Sequence, residues 1–139
     1  MIGKYTHNVD PKGRLFVPAK LRDELGDVFY VAIGTENNLL VYPEEKWNAV
    51  EARYNATSIH ENGRLRFFFA NVSKCEPDKQ GRFVIPLLLR QYAHLNGDVT
   101  FLGQGDHAEI WDTATYEEKE AEFLSSPENL LNALKELNL

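Results

Sequence analysis

A single cysteine, Cys75, is all that 139 residues contain, which excludes an intramolecular disulfide framework. No CxxC pair or Cys/His cluster supplies ligands for structural zinc, so neither a metal site nor a cofactor is expected. Cys75 itself reads as a small apolar side chain near the core. The sequence has no apolar run of roughly 18 residues that would span a bilayer. Met1 to Lys4 lacks the apolar stretch of a secretory signal, so a cytoplasmic protein is expected, with no membrane partner. Catalytic patterns are missing too. Gly103-Gln104-Gly105 is a bare GxG with no helix opening behind it, as a phosphate loop requires. His7, His60, His94 and His107 show no ligand spacing, and Glu117, Glu118, Glu120 and Glu122 read as a solvated helix face. No enzyme is expected.

Positive charge is also scarce overall: the formal net charge is −6. Its distribution is uneven. Residues 1–22 carry Lys4, Lys12, Arg14, Lys20 and Arg22 against Asp10 alone. Residues 60–90 carry Arg64, Arg66, Lys74, Lys79, Arg82 and Arg90 against Glu61, Glu76 and Asp78. The acidity lies in 23–59 and 98–139. Binding a polyanion requires local positive charge rather than a basic protein, and two basic stretches meet that requirement.

What is present is a duplication. Asp10-Pro-Lys-Gly-Arg-Leu-Phe-Val-Pro-Ala-Lys-Leu-Arg22 aligns without gaps on Asp78-Lys-Gln-Gly-Arg-Phe-Val-Ile-Pro-Leu-Leu-Leu-Arg90, with six identities in thirteen positions at an offset of 68. Downstream, Leu40-Val41-Tyr42 followed by Trp47 echoes Glu109-Ile110-Trp111 followed by Tyr116. Such self-similarity marks two copies of one structural unit.

Each copy reads alike. Tyr5–Val9 alternates as a strand. Asp10 to Gly13 has the residues of a type I turn, and Arg14–Val17 forms the next strand. Pro18 fits the first turn of a helix that ends at Gly26. Val28–Ile33 and Leu39–Tyr42 follow as strands, with Asn37-Asn38 between them. Pro43 opens a helix bearing Trp47, Val50 and Tyr54 on one face. In the second copy the order is Val72–Glu76, the turn at Asp78–Gly81, Arg82–Ile85, a helix opened by Pro86, Val99–Leu102, Glu109–Trp111 and a helix over 113–124. Phe67-Phe68-Phe69 suits a buried strand or a buried helix, with helix preferred. Near the end, Ser126 is placed as N-cap and Pro127 at the first helical position. There Leu130, Leu131, Leu134 and Leu137 form a stripe that packs on its own domain or on a neighbouring subunit. Trp47, Trp111 and Tyr116 read as core.

The arrangement resembles the MraZ family and, more broadly, the AbrB/SpoVT swapped-hairpin DNA-binding domains. The likeness rests on Gly3, Asp10 to Arg14 with Arg22, and the Leu-Val-Tyr-Pro-Glu-x-x-Trp run from Leu40 to Trp47. It extends to Cys75 before the second Asp-x-x-Gly-Arg, Leu87 to Ala93, and Leu102 to Trp111. It implies an α+β fold of two pseudo-symmetric swapped-hairpin β-barrel half-units with flanking helices. The expected division is repeat 1 over 3–47, a connecting helical segment over 48–74, repeat 2 over 75–118 and a C-terminal helix over 119–139. The resemblance further implies a nucleoid-associated transcription regulator, typically a repressor of the division and cell-wall gene cluster. Such a protein binds short direct repeats in double-stranded promoter DNA as a ring-shaped homo-oligomer. It also implies that Arg14 and Arg82 contact DNA, with Asp10 and Asp78 supporting their turns.

The residues support that implication on chemical grounds. An arginine just after a tight turn projects from a rigid hairpin, and its planar fork can bond guanine N7 and O6, worth ~1–3 kcal/mol of discrimination. Lys4, Lys12, Lys20, Arg22, Lys79 and Arg90 are candidates for phosphate contacts that set register. Gly13 and Gly81 complete the turns. Asp10–Arg14 and Asp78–Arg82 read equally as ion pairs bracing those turns, and the two roles are compatible. Arg22 and Arg90 fit helix-end or intersubunit salt bridges better than base contacts. His7 reads as solvated. A protein-binding module, antitoxin-like or scaffolding, is the alternative reading of the same fold.

Overall fold

A computed structural model describes residues 1–58 and 63–139; His60 and Glu61 of the second basic stretch lie outside the described residues. In chain order the elements begin with β1 (Lys4–Asn8), β2 (Arg14–Phe16), a 3-10 turn (Ala19–Leu21), α1 (Arg22–Leu25), β3 (Phe29–Ile33), β4 (Leu39–Pro43), α2 (Glu44–Asn55) and α3 (Arg66–Ala70). They continue with β5 (Ser73–Cys75), β6 (Arg82–Val84), α4 (Leu87–Tyr92), β7 (Asp98–Gly103), β8 (Ala108–Asp112), α5 (Thr113–Ser125) and α6 (Glu128–Glu136). The strand boundaries read from alternation are met to within one or two residues.

The pairing makes the duplication a single structure. Six strands form one sheet in the order β1-β7-β8-β4-β3-β5, symmetric about the β8–β4 junction. Strand β1 of the first repeat pairs antiparallel with β7 of the second, Tyr5 opposite Phe101. Strand β5 of the second repeat pairs with β3 of the first, Phe29 opposite Cys75. Each repeat thus lends its first strand to the other. The remaining strands, β2 and β6, pair only with each other, Leu15 opposite Phe83. The fold is α+β, two pseudo-symmetric swapped-hairpin units with flanking helices.

One core serves both repeats. Leu15, Leu21, Leu25, Phe29, Val31, Leu39 and Val41 of the first copy share a buried cluster with Phe83, Ile85, Leu89, Val99, Phe101 and Ile110 of the second. Phe83 meets Phe29 edge-on at 5.0 Å between ring centroids, an arrangement the ring quadrupole favours. Cys75 is buried in the same cluster, and Trp47 and Trp111 are buried as expected. Trp47 lies against Phe68 and Phe69 of α3. Those two rings are half-buried, but Phe67 is 74% exposed, so the three phenylalanines are not a buried run.

Local details depart from the sequence reading. Pro18, Pro43 and Pro86 stand one residue outside their helices as N-caps, with φ near −55° and ψ of 131°, 152° and 149°. They are the last extended residues, and the carbonyls of Pro18 and Pro86 accept the first bonds, from Leu21 and Arg90. Ser126 is not the N-cap of α6. That place is Pro127, and Ser126 Oγ instead donates to Glu128 at 2.8 Å. Asp112 caps α5 by accepting from Thr115 N at 3.0 Å. None of the described helices is long and apolar enough to cross a membrane.

Candidate nucleic-acid interface

The two Asp-x-x-Gly-Arg turns have the same hydrogen bonding. In the first, Gly13 N donates to Asp10 O at 2.9 Å, closing the turn. Asp10 Oδ1 accepts from the backbone N–H of Lys12 and of Arg14, both at 2.9 Å. Its Oδ2 accepts from Arg14 Nε at 2.5 Å. In the second, Asp78 Oδ1 accepts from Gln80 N and Arg82 N at 2.9 Å each, and Oδ2 from Arg82 Nε at 3.0 Å. The backbone N–H of Arg14, and after it the Arg14 side chain, hold the Asp10 carboxyl below the usual aspartate range; Arg82 does the same for Asp78. Each arginine therefore spends Nε on its own turn and keeps the two-nitrogen Nη fork for an outside acceptor.

Register puts both forks on one surface. Arg14 stands opposite Val84, and Phe16 opposite Arg82. Side chains alternate along a strand, so Leu15 and Phe83 point inward and Arg14, Phe16, Arg82 and Val84 share the outer face. Leu15 and Phe83 are buried, while Phe16 and Val84 are 42% and 54% exposed. The arginines are diagonal neighbours, roughly 7–8 Å apart by strand geometry. A two-stranded ribbon of this kind fits a DNA major groove.

The other candidates distribute unevenly around it. Lys12 and Lys79 are exposed at the two turns and Lys20 on the 3-10 turn; among the described residues none of the three takes part in an ion pair. Lys4 stands apart. It sits at the far end of β1 from the turn, and Glu120 of α5 takes its Nζ at 2.8 Å. Among the described residues of the single chain, Arg22 and Arg90 form no helix-end salt bridge. Their Nε atoms donate to main-chain carbonyls, Val17 O at 3.2 Å and Ile85 O at 2.9 Å. His7 is not solvated but half-buried edge-on to Phe101. Burial, and then the Arg22 charge, push its pKa below the ordinary histidine value.

The sequence reading missed Phe16 and Val84 as members of the arginine face. Alternation alone pairs Phe16 with Arg14, but the partner strand becomes visible only once the two repeats are seen to pair.

A duplicated chain whose halves exchange first strands and present paired turn arginines on one ribbon is a swapped-hairpin protein of the AbrB/SpoVT type. A family model described as MraZ protein and designated antitoxin-like matches residues 1–66 and 68–136. Similar proteins include one named transcriptional regulator MraZ from Heliobacterium modesticaldum, 43% identical over 86% of this chain and 88% of the relative. Proteins of the same name from Thermoanaerobacter pseudethanolicus and Pelotomaculum thermopropionicum are 39% and 38% identical. Those alignments cover 100% and 99% of this chain, and 99% and 97% of the relatives. The chain belongs to the MraZ family.

Proposed function

We propose that this protein is a sequence-specific DNA-binding transcription regulator, a repressor of the division and cell-wall gene cluster acting at short direct repeats in its own promoter. The observation that carries the reading is the placement of Arg14 and Arg82, one from each repeat, on the single exposed face of the β2/β6 ribbon. Each fork is preorganised by its aspartate and can take guanine O6 and N7. Lys12, Lys20 and Lys79 surround the ribbon with uncommitted positive charge for phosphates. Lys4 is left out of this set because Glu120 neutralises it. Phe16 and Val84 offer apolar surface to thymine methyl groups beside the guanines. The working units are the repeats over 3–47 and 75–118.

One ribbon reads few bases, so useful affinity requires several ribbons on one DNA, which a ring-shaped homo-oligomer over direct repeats provides. The leucine face of α6 supports assembly, since Leu131 and Leu137 are 51% and 70% exposed on the single chain. A cytoplasmic, nucleoid-associated location follows from the same reading. The test is a footprint of the purified protein on its own upstream region. Protection of regularly spaced, guanine-containing repeats is expected; uniform protection, indistinguishable from unrelated DNA, refutes sequence-specific recognition.

A further inference from the structure

Arg22 and Arg90 hold equivalent places in the two repeats. Neither takes an acidic partner among the described residues. Each Nε bonds a carbonyl of its own repeat, Val17 O or Ile85 O, which fixes the guanidinium plane. That plane then lies against the turn of the other repeat. A Cβ built on Gly13 would stand 2.7 Å from Arg90 Nε and 2.9 Å from its Cζ. A Cβ on Gly81 would stand 2.8 Å from Arg22 Nη2 and 2.9 Å from its Cζ. The same crossing is made by the backbone, where Val17 N donates to Gly81 O and Ile85 N to Gly13 O, both at 2.9 Å.

Gly13 and Gly81 immediately precede Arg14 and Arg82, and both have φ of +83°. Their backbone conformation therefore aims the fork that follows. Strands β2 and β6 have three residues each, and an isolated two-stranded hairpin is marginal in water. Leu15 and Phe83 anchor this short ribbon to the core from beneath, and the two helix arginines are packed against its turns. We infer that Arg90 positions Arg14 and Arg22 positions Arg82, each helix arginine holding the recognition turn of the opposite repeat. A planar guanidinium suits this place: it lies flat on a residue without a side chain while its Nε keeps a carbonyl bond, neither of which lysine reproduces. The turn residue must be glycine for the same reason. The inference rests on the DNA reading for its consequence, not for its geometry.

The test is a set of double-mutant cycles on the DNA segment the wild-type protein protects. Arg90→Gln should weaken binding about tenfold alone and in an Arg82→Lys background, and less than about twofold once Arg14 is already lysine, a change that removes the fork but leaves binding measurable. Arg22→Gln should give the mirror pattern. Arg90→Lys should behave as Arg90→Gln. Equal losses in every background would mean general destabilisation, and rescue by lysine would mean a simple phosphate contact; either overturns the assignment. A second arm needs no DNA. In glycine-labelled protein, Arg90→Gln should shift the amide resonance of Gly13 more than that of Gly81, and Arg22→Gln the reverse. If Arg14→Ala bound as tightly as wild type, the DNA reading would fail by itself. The glycine shifts would then decide the brace alone, a crossed pattern upholding it and an uncrossed one overturning it.

Discussion

Asp10 and Asp78 each gather two backbone N–H groups and an arginine Nε, and this makes the turns sensitive to acid in a definite direction. Their carboxyls titrate below the ordinary aspartate value of 3.8. A carboxyl with a lowered folded-state pKa contributes stability that is fully present above the unfolded value and is lost as pH falls through the folded one. The stability gap between wild type and Asp10→Asn should therefore be constant near neutrality and shrink below about pH 3.8. A gap that grows on acidification, in denaturant titrations across that range, contradicts the assigned hydrogen bonds. Cys75 gives a second residue-scale expectation. Burial pushes its thiol pKa up to about 11. In the native protein it should react with a thiol reagent only as fast as the chain opens, and denaturant should accelerate the reaction steeply. Rapid native labelling would mean that β5 does not hold Cys75 in the core. Glycines separate two effects. Gly26 has φ of +75° with nothing within 4 Å of an added Cβ, whereas Gly13 also meets Arg90 and Ile85 O. Gly26→Ala, at φ 75° and ψ −168°, should cost about 1–3 kcal/mol from backbone strain alone, and Gly13→Ala roughly 1–3 kcal/mol more. Equal melting shifts for the two would remove the packed arginine from the account.

At the scale of elements, the β2/β6 ribbon makes a prediction that the turns alone do not. Phe16 and Val84 share the outer face with the arginines. Replacing thymine by uracil next to the protected guanines removes only methyl groups. It should weaken wild-type binding a few-fold, and leave a Phe16→Ser, Val84→Ser variant unaffected. Unchanged wild-type affinity on uracil DNA would exclude a reading role for the apolar pair. Elements are also where the limits of the sequence show. Strands, turns and helices were legible because each repeat carries alternation, an Asp-x-x-Gly turn and a proline before each helix. The prolines were misplaced by one residue because composition does not distinguish a first helical residue from an extended N-cap. The pairing of β1 with β7 and of β5 with β3 was not legible from either repeat by itself, since alternation specifies a face and not a partner. The packing of Arg22 on Gly81 and of Arg90 on Gly13 is not legible for the same reason: each contact joins the two repeats, and a glycine turn in the other repeat is invisible to local pattern.

At the scale of the molecule, a net charge of −6 coexists with a ribbon ringed by uncommitted lysines. DNA affinity should fall steeply with salt, because each neutralised phosphate releases counterions. An affinity flat between low and physiological salt would contradict a polyanion partner. The leucine face of α6 belongs to this scale too. Among the described residues Leu131 and Leu137 stay 51% and 70% exposed on the single chain, so removing residues 126–139 should lower the number of subunits per particle measured by light scattering; an unchanged subunit number would place assembly elsewhere. The central claim, that the swapped repeats exist to present Arg14 and Arg82 on one ribbon to DNA, meets its most direct test in gel retardation of the upstream region by wild type and Arg14→Ala, with assembly checked by sedimentation. The account predicts loss of specific retardation by a variant that folds and assembles normally. A variant that binds as tightly as wild type would contradict it.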